Sequence, residues 1–168
     1  KNISGSINAE KWLKDNLKLR TTTFLRQTES NYDNSSTDEL GYVADDKMIA
    51  TQFGLDYLTK KTKNFITFHY HNYDRDYEND GYLDEYESNS FTLRGESEIK
   101  YNEKLSYGFG GEYKHDWGEF ENRGSYSAST KGYVDNTAVF ANLGYKVLED
   151  TTVSFYGRTG KHKTTDQN

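Results

Sequence analysis

Apolar and polar residues alternate one for one along most of this chain. Leu105, Tyr107, Phe109, Gly111 and Tyr113 fall on one side of an extended segment, with Ser106, Gly108, Gly110, Glu112 and Lys114 on the other. A period of two marks a strand with one apolar and one polar face, because successive side chains of a strand point to opposite sides. The same alternation recurs at Ile3, Gly5, Ile7 and Ala9, at Leu17, Leu19 and Leu25, and at Ile49, Phe53, Leu55 and Tyr57. It returns at Ile66, Phe68 and Tyr70, at Phe91, Leu93 and Ile99, at Val139, Ala141, Leu143 and Tyr145, and at Val153 and Phe155. The pattern predicts an all-β fold, an antiparallel up-and-down meander of about eight strands. One stretch competes: from Asn8 to Leu19, the positions Ala9, Trp12, Leu13 and Leu17 also fit a helical spacing.

The connections alternate in length. Lys14 to Asn16, Lys60 to Asn64, Asn102 to Lys104 and Leu148 to Asp150 read as tight polar turns, while Tyr32 to Lys47, Asp74 to Ser90 and Trp117 to Asp135 read as long acidic and Tyr-rich loops. Short turns on one side and long loops on the other are the habit of bacterial outer-membrane barrels, short facing the periplasm and long facing outside. The pattern therefore predicts a segment of a transmembrane β-barrel. By the same parity both ends of the chain fall on the outer side, and the chain finishes without an aromatic closing strand. The expectation is one partial domain, 1–168, from the middle of a larger barrel.

Composition sharpens the picture. Only 33% of the 168 residues are hydrophobic, yet there are 15 Tyr, 9 Phe and 2 Trp. That is too polar for a thick two-layer core and too aromatic for a disordered chain. No apolar run approaches the roughly 20 residues of a spanning helix, but barrel strands are apolar only at alternate positions and escape such a search. The polar faces carry Lys18, Arg20, Arg94, Glu96, Glu98, Lys100, Glu112, Lys114, Lys146 and Arg158. These long charged chains crowd a closed eight-stranded barrel, whose interior is just filled by side chains, and suit a wide wet or plugged lumen. Trp12 near a short turn and Trp117 near a long loop are expected to mark the two interfacial girdles, with His115 beside the second.

A strand grammar of this kind, and the stretches Leu105 to Lys114, Asn142 to Val147 and Tyr156-Gly157-Arg158 in particular, resembles the barrel domain of TonB-dependent outer-membrane receptors. Members of that family import vitamin B12, iron chelates and similar scarce solutes. The resemblance implies a place in the bacterial outer membrane, active uptake of a small-molecule solute, and lipid, a plug domain and TonB as partners. It covers barrel wall alone, since neither a plug nor a TonB-contacting box is recognisable in these residues. A soluble all-β binding or adhesion module and a small porin-like barrel remain the alternatives.

Candidate chemistry is sparse. Asp76, Glu78, Asp80, Asp84 and Glu87 fall at positions 1, 3, 5, 9 and 12 of a twelve-residue stretch with Gly81 at position 6, the spacing of a calcium loop. Calcium is thus the one candidate cofactor, and Asp33, Asp38, Asp45 and Asp46 could add oxygens to it. His69 and His71 share one strand face, two ligands short of a typical zinc site. There is no Cys, no Gly-x-Ser-x-Gly elbow, no phosphate loop and no dinucleotide fingerprint, so catalysis is not expected. A net charge of −6 argues against a nucleic-acid partner. Unpaired sheet edges would favour self-association of the isolated segment.

Overall fold

The computed structural model describes residues 1–32, 42–79, 82–123 and 127–167. They form one antiparallel sheet of eight strands in chain order: β1 (Asn2–Lys14), β2 (Leu17–Asn31), β3 (Tyr42–Leu58), β4 (Thr62–Asn79), β5 (Tyr82–Lys100), β6 (Leu105–Asn122), β7 (Ala128–Lys146) and β8 (Thr152–Gln167). Each strand pairs with its sequence neighbours, and β1 and β8 are the two edges. Asn8 to Leu19, the stretch with helical spacing, is the β1–β2 hairpin, with a register shift between Trp12 and Lys14. No second layer covers the sheet among the described residues.

The four short turns close by local hydrogen bonding. Asp15 and Asn16 alone join β1 to β2. The Thr59 hydroxyl accepts from the amides of Lys61 and Thr62, at 3.2 and 2.9 Å. Asn102 Oδ1 accepts from the amides of Lys104 and Leu105, at 2.9 and 2.8 Å. Such side-chain-to-backbone bonds are why Thr and Asn favour turns over strand interiors.

At the other end the structure corrects the sequence reading. The segments expected as long loops are mostly strand: β4 runs on to Asn79, β5 starts at Tyr82, β6 reaches Asn122 and β7 begins at Ala128. A transmembrane strand needs only about 9–11 residues, and strands of up to 19 residues here project well beyond that. Beyond the lipid both faces meet water, so the ladder continues without the hydropathy alternation that reveals it.

Register fixes the faces. Odd-numbered residues of β2, β3 and β5 to β8 share a face with even-numbered residues of β4, as in the row Thr21, Phe53, Phe68, Leu93, Tyr113. This is the apolar face, and it is bare: Ile7, Phe109, Val139 and Phe155 are 69, 54, 58 and 67% exposed. Every buried residue lies on the opposite, polar face: Tyr42, Ala44, Asp46, Gly54, Asp56, Gly108, Ala138 and Phe140. Side chains crowd one another on the concave side of a curved sheet, so the polar face is the lumen. Where an oily convex face meets lipid and a polar concave face meets water, a barrel wall satisfies both.

Gly110 shows how closely the concave side is packed. A Cβ there would lie 2.5 Å from Phe140 Cζ and 2.5 Å from the Gly95 carbonyl oxygen. The outer edge of the ring lies against the glycine, and the Arg94 guanidinium sits over the ring at 4.5 Å. Gly110→Ala is expected to lower the stability of the barrel by about 1–2 kcal/mol, read as a lower urea midpoint for loss of heat-modifiable gel mobility. An unchanged midpoint would refute the packing argument.

Candidate functional site in the outer vestibule

The height of the lipid band can be read on the convex face. Moving from the short turns, Tyr57, Leu55, Phe53 and Ile49 give way to Lys47 on β3; Ile66, Phe68 and Tyr70 give way to Asp74 on β4; Leu93 and Phe91 give way to Glu87 on β5. On β6 the change falls between Trp117 and Glu119. Trp117 lies opposite Tyr133 and beside the Tyr113, His115 and Phe91 cluster, an aromatic girdle at the boundary. His115 Nδ1 meets Asp135 Oδ1 at 2.8 Å, and the Tyr113 hydroxyl donates to the same oxygen at 2.7 Å. Trp117 and His115 thus stand where the convex face turns from apolar to charged. Trp12 does not mark the lower one: it lies opposite Lys18 on the polar face, with the Lys18 ammonium 5.7 Å from its ring centre. Its even number continues the series Asn8 and Glu10.

Above the band, the concave face carries a run of rings. Tyr32 packs edge-on against Tyr42 and Tyr77, with centroids 5.4 and 5.7 Å apart, Tyr77 against Tyr86 at 5.8 Å, and Tyr86 against Phe120 at 4.7 Å. Tyr32 follows the last residue of β2 and the other rings come from β3 to β6, because extended strands side by side bring same-face residues together. Beneath them Arg75 makes a two-pronged bond to the Asp46 carboxylate, one prong from Nε to Oδ1 and the other from Nη2 to Oδ2 at 3.0 Å. The Tyr73 hydroxyl donates to Asp46 Oδ1 at 2.7 Å, and Arg75 Nη1 donates to the Tyr77 hydroxyl at 2.8 Å. The guanidinium lies 5.5 and 5.3 Å from the centres of the Tyr73 and Tyr77 rings. These bonds, that from Arg75 foremost, hold the Asp46 carboxyl below the usual carboxylate range despite its burial. The outcome is an aromatic wall with a neutralised ion pair at its foot, on the polar face.

Lower on the concave face, charges pair within and across strands. Arg20 meets Asp56 at 2.8 Å, and Lys18 bridges Glu10 and Asp56 at 3.4 and 3.9 Å. Arg94 contacts Glu96 and Glu112 at 2.6 and 3.5 Å, and Arg158 reaches Glu112 at 2.7 Å. Of the inward charges read from the sequence, Lys18, Arg20, Arg94, Glu96, Glu112 and Arg158 make these contacts, with Glu10 and Asp56 as added partners.

The calcium-spaced acids are placed otherwise than a binding loop would place them. Asp76, Glu78 and Glu87 lie on the convex face of the β4–β5 hairpin, in register with Glu85, Leu83 and Asp74, whereas Asp84 opposes Tyr77 on the concave face. Asp80 lies outside the described residues, as do Asp33 and Asp38. An extended backbone separates what a coiled loop would converge. Among the described residues no group of three or more His, Cys, Asp or Glu is arranged to hold a metal ion, and His69 and His71 stand opposite Thr92 and Ser90. The aromatic wall was missed because it falls in the supposed loops. Its signal was nevertheless present: Tyr73, Arg75 and Tyr77 alternate with Asp74, Asp76 and Glu78.

No protein-family model matches this sequence, and no curated protein matches it. Solved structures do. The ferric citrate transporter FecA superposes with a TM-score of 0.72 at 8% identity, covering 98% of this chain and 30% of that one. The alcaligin outer-membrane receptor FauA from Bordetella pertussis gives 0.72 at 11% identity, covering 99% and 29%. The fold is that of an outer-membrane β-barrel wall. The outer-membrane transporter YddB from Escherichia coli agrees, with a TM-score of 0.65 at 12% identity over 96% of this chain and 25% of that one. The chain spans about a quarter to a third of the length of these neighbours.

Proposed function

We propose that these strands form part of the wall of an outer-membrane receptor that takes up a scarce small solute by a TonB-dependent route. The aromatic wall carries this reading. A lumen-facing row of rings above the lipid band presents large, preorganised contact area at the mouth of the barrel, where a solute is first captured. The bare convex face supports lipid as one partner, and the paired charges of the lower wall suit contact with water or a plug contributed by the rest of the protein. Strands that superpose on transporters along almost their whole length support transport over catalysis. Vitamin B12 and iron chelates are the solute classes the reading favours. The experiment is fractionation of cells producing the whole protein, followed by growth on a panel of limiting solutes with and without an intact TonB system. Outer-membrane residence with TonB-dependent growth on one solute is the expected result. A protein found in the soluble fraction, or growth indifferent to TonB, would sink the proposal.

A further inference from the structure

The three outer hairpins, taken as 26–48, 72–92 and 114–136, contain 17 Asp and Glu against six Lys and Arg, a net charge of −11. The whole chain carries −6, so the remainder carries +5. Most cations of these three hairpins are held by a neighbouring carboxylate. Lys47 pairs with Asp45 at 3.1 Å, Lys114 with Asp116 at 2.8 Å, Arg123 with Glu85 at 2.8 Å and Lys131 with Glu119 at 2.5 Å. Arg75 is held by Asp46. Arg26 adds its field at that same carboxylate, with its Nε buried and making no hydrogen bond among the described residues.

A field of one sign around a mouth selects by charge. It raises the local concentration of cations and lowers that of anions, within about 10 Å at moderate salt. The rings add a second preference of the same sign, since aromatic faces attract cations. The wall already uses it, with the Arg75 guanidinium held against Tyr73 and Tyr77. Tyr86, 41% exposed, offers further ring surface to the lumen. We infer that the solute captured at this wall is a cation with a flat or apolar face, an organic cation or a positively charged metal chelate. An anionic chelate would meet repulsion from this field. The inference rests on the transport reading just proposed and adds the charge of the cargo to it.

The test uses the whole purified receptor in a neutral detergent and two probes of one metal. Tris(bipyridine)iron(II) is a dication with flat faces, and the iron(II) complex of sulfonated bathophenanthroline is a flat-faced anion. Equilibrium dialysis is expected to show the cation bound at least about tenfold more tightly, with the preference shrinking as salt rises. Replacing both Tyr77 and Tyr86 by Ala is expected to lower the cation's affinity about tenfold, and replacing both by Phe to preserve it, because the ring is retained. Preference for the anion, no binding of either probe, or equal binding after ring removal would overturn the inference. The transport reading fails separately, by the fractionation and growth results above.

Discussion

Arginine in place of Phe53 is expected to cost the barrel about 2–4 kcal/mol. Phe53 lies on the convex face midway between Ile49 and Tyr57, opposite Thr21 on one side and Phe68 on the other, and it is 48% exposed. In water such an exposed ring would tolerate a charge at little expense. Against hydrocarbon the guanidinium must lose its hydration or reach for the headgroups from the farthest possible depth. The neighbouring Gln52 faces the lumen, so Gln52→Arg is the control and is expected to change stability by less than about 1 kcal/mol. Reversible urea unfolding of the whole protein in lipid vesicles measures both. Equal costs would mean that the two faces do not meet different solvents, and the barrel-wall reading would fall with them.

Arg75→Met is expected to cost about 2–3 kcal/mol at neutral pH. Asp46 is 7% exposed, and without the guanidinium its carboxylate keeps the Tyr73 hydroxyl and the field of Arg26 but loses its two-pronged partner. The loss has a pH signature. Because the folded-state pKa of Asp46 is depressed, the stability it contributes is present above the unfolded value of about 4 and is lost as pH falls through the folded value. The gap between wild type and variant should therefore narrow as the pH drops below about 4. Asp46→Asn should flatten the wild-type pH dependence over the same interval. A gap that stays constant down to low pH would show that Arg75 acts by packing on Tyr73 and Tyr77 and not through the carboxylate.

What the sequence made legible follows from where the two solvents differ. Between the short turns and the girdle, lipid and water take opposite faces of one strand, so Leu105 to Lys114 alternates and its faces were readable residue by residue. Around Asp45, Asp46 and Lys47 both faces meet water, hydropathy no longer alternates, and strands were read as loops. The acids at Asp76, Glu78 and Glu87 suggested a coiled calcium loop because a spacing of two is shared by loop ligands and by one face of a strand. Trp12 shows that nearness to a turn does not fix a face, whereas its even-numbered position, opposite Lys18, does. The aromatic wall needed register as well as pattern: Tyr86 and Phe120 are 34 residues apart in sequence and meet only because β5 and β6 pair as they do.

The uneven charge of the two ends also bears on how this wall is made. The short turns can remain on the side from which the chain arrives, but each outer hairpin must cross the hydrocarbon before its strands can span it. Those hairpins hold most of the carboxylates of the chain, the groups that hydrocarbon resists most strongly when ionised. Hairpin passage therefore carries an electrostatic cost that strand pairing does not.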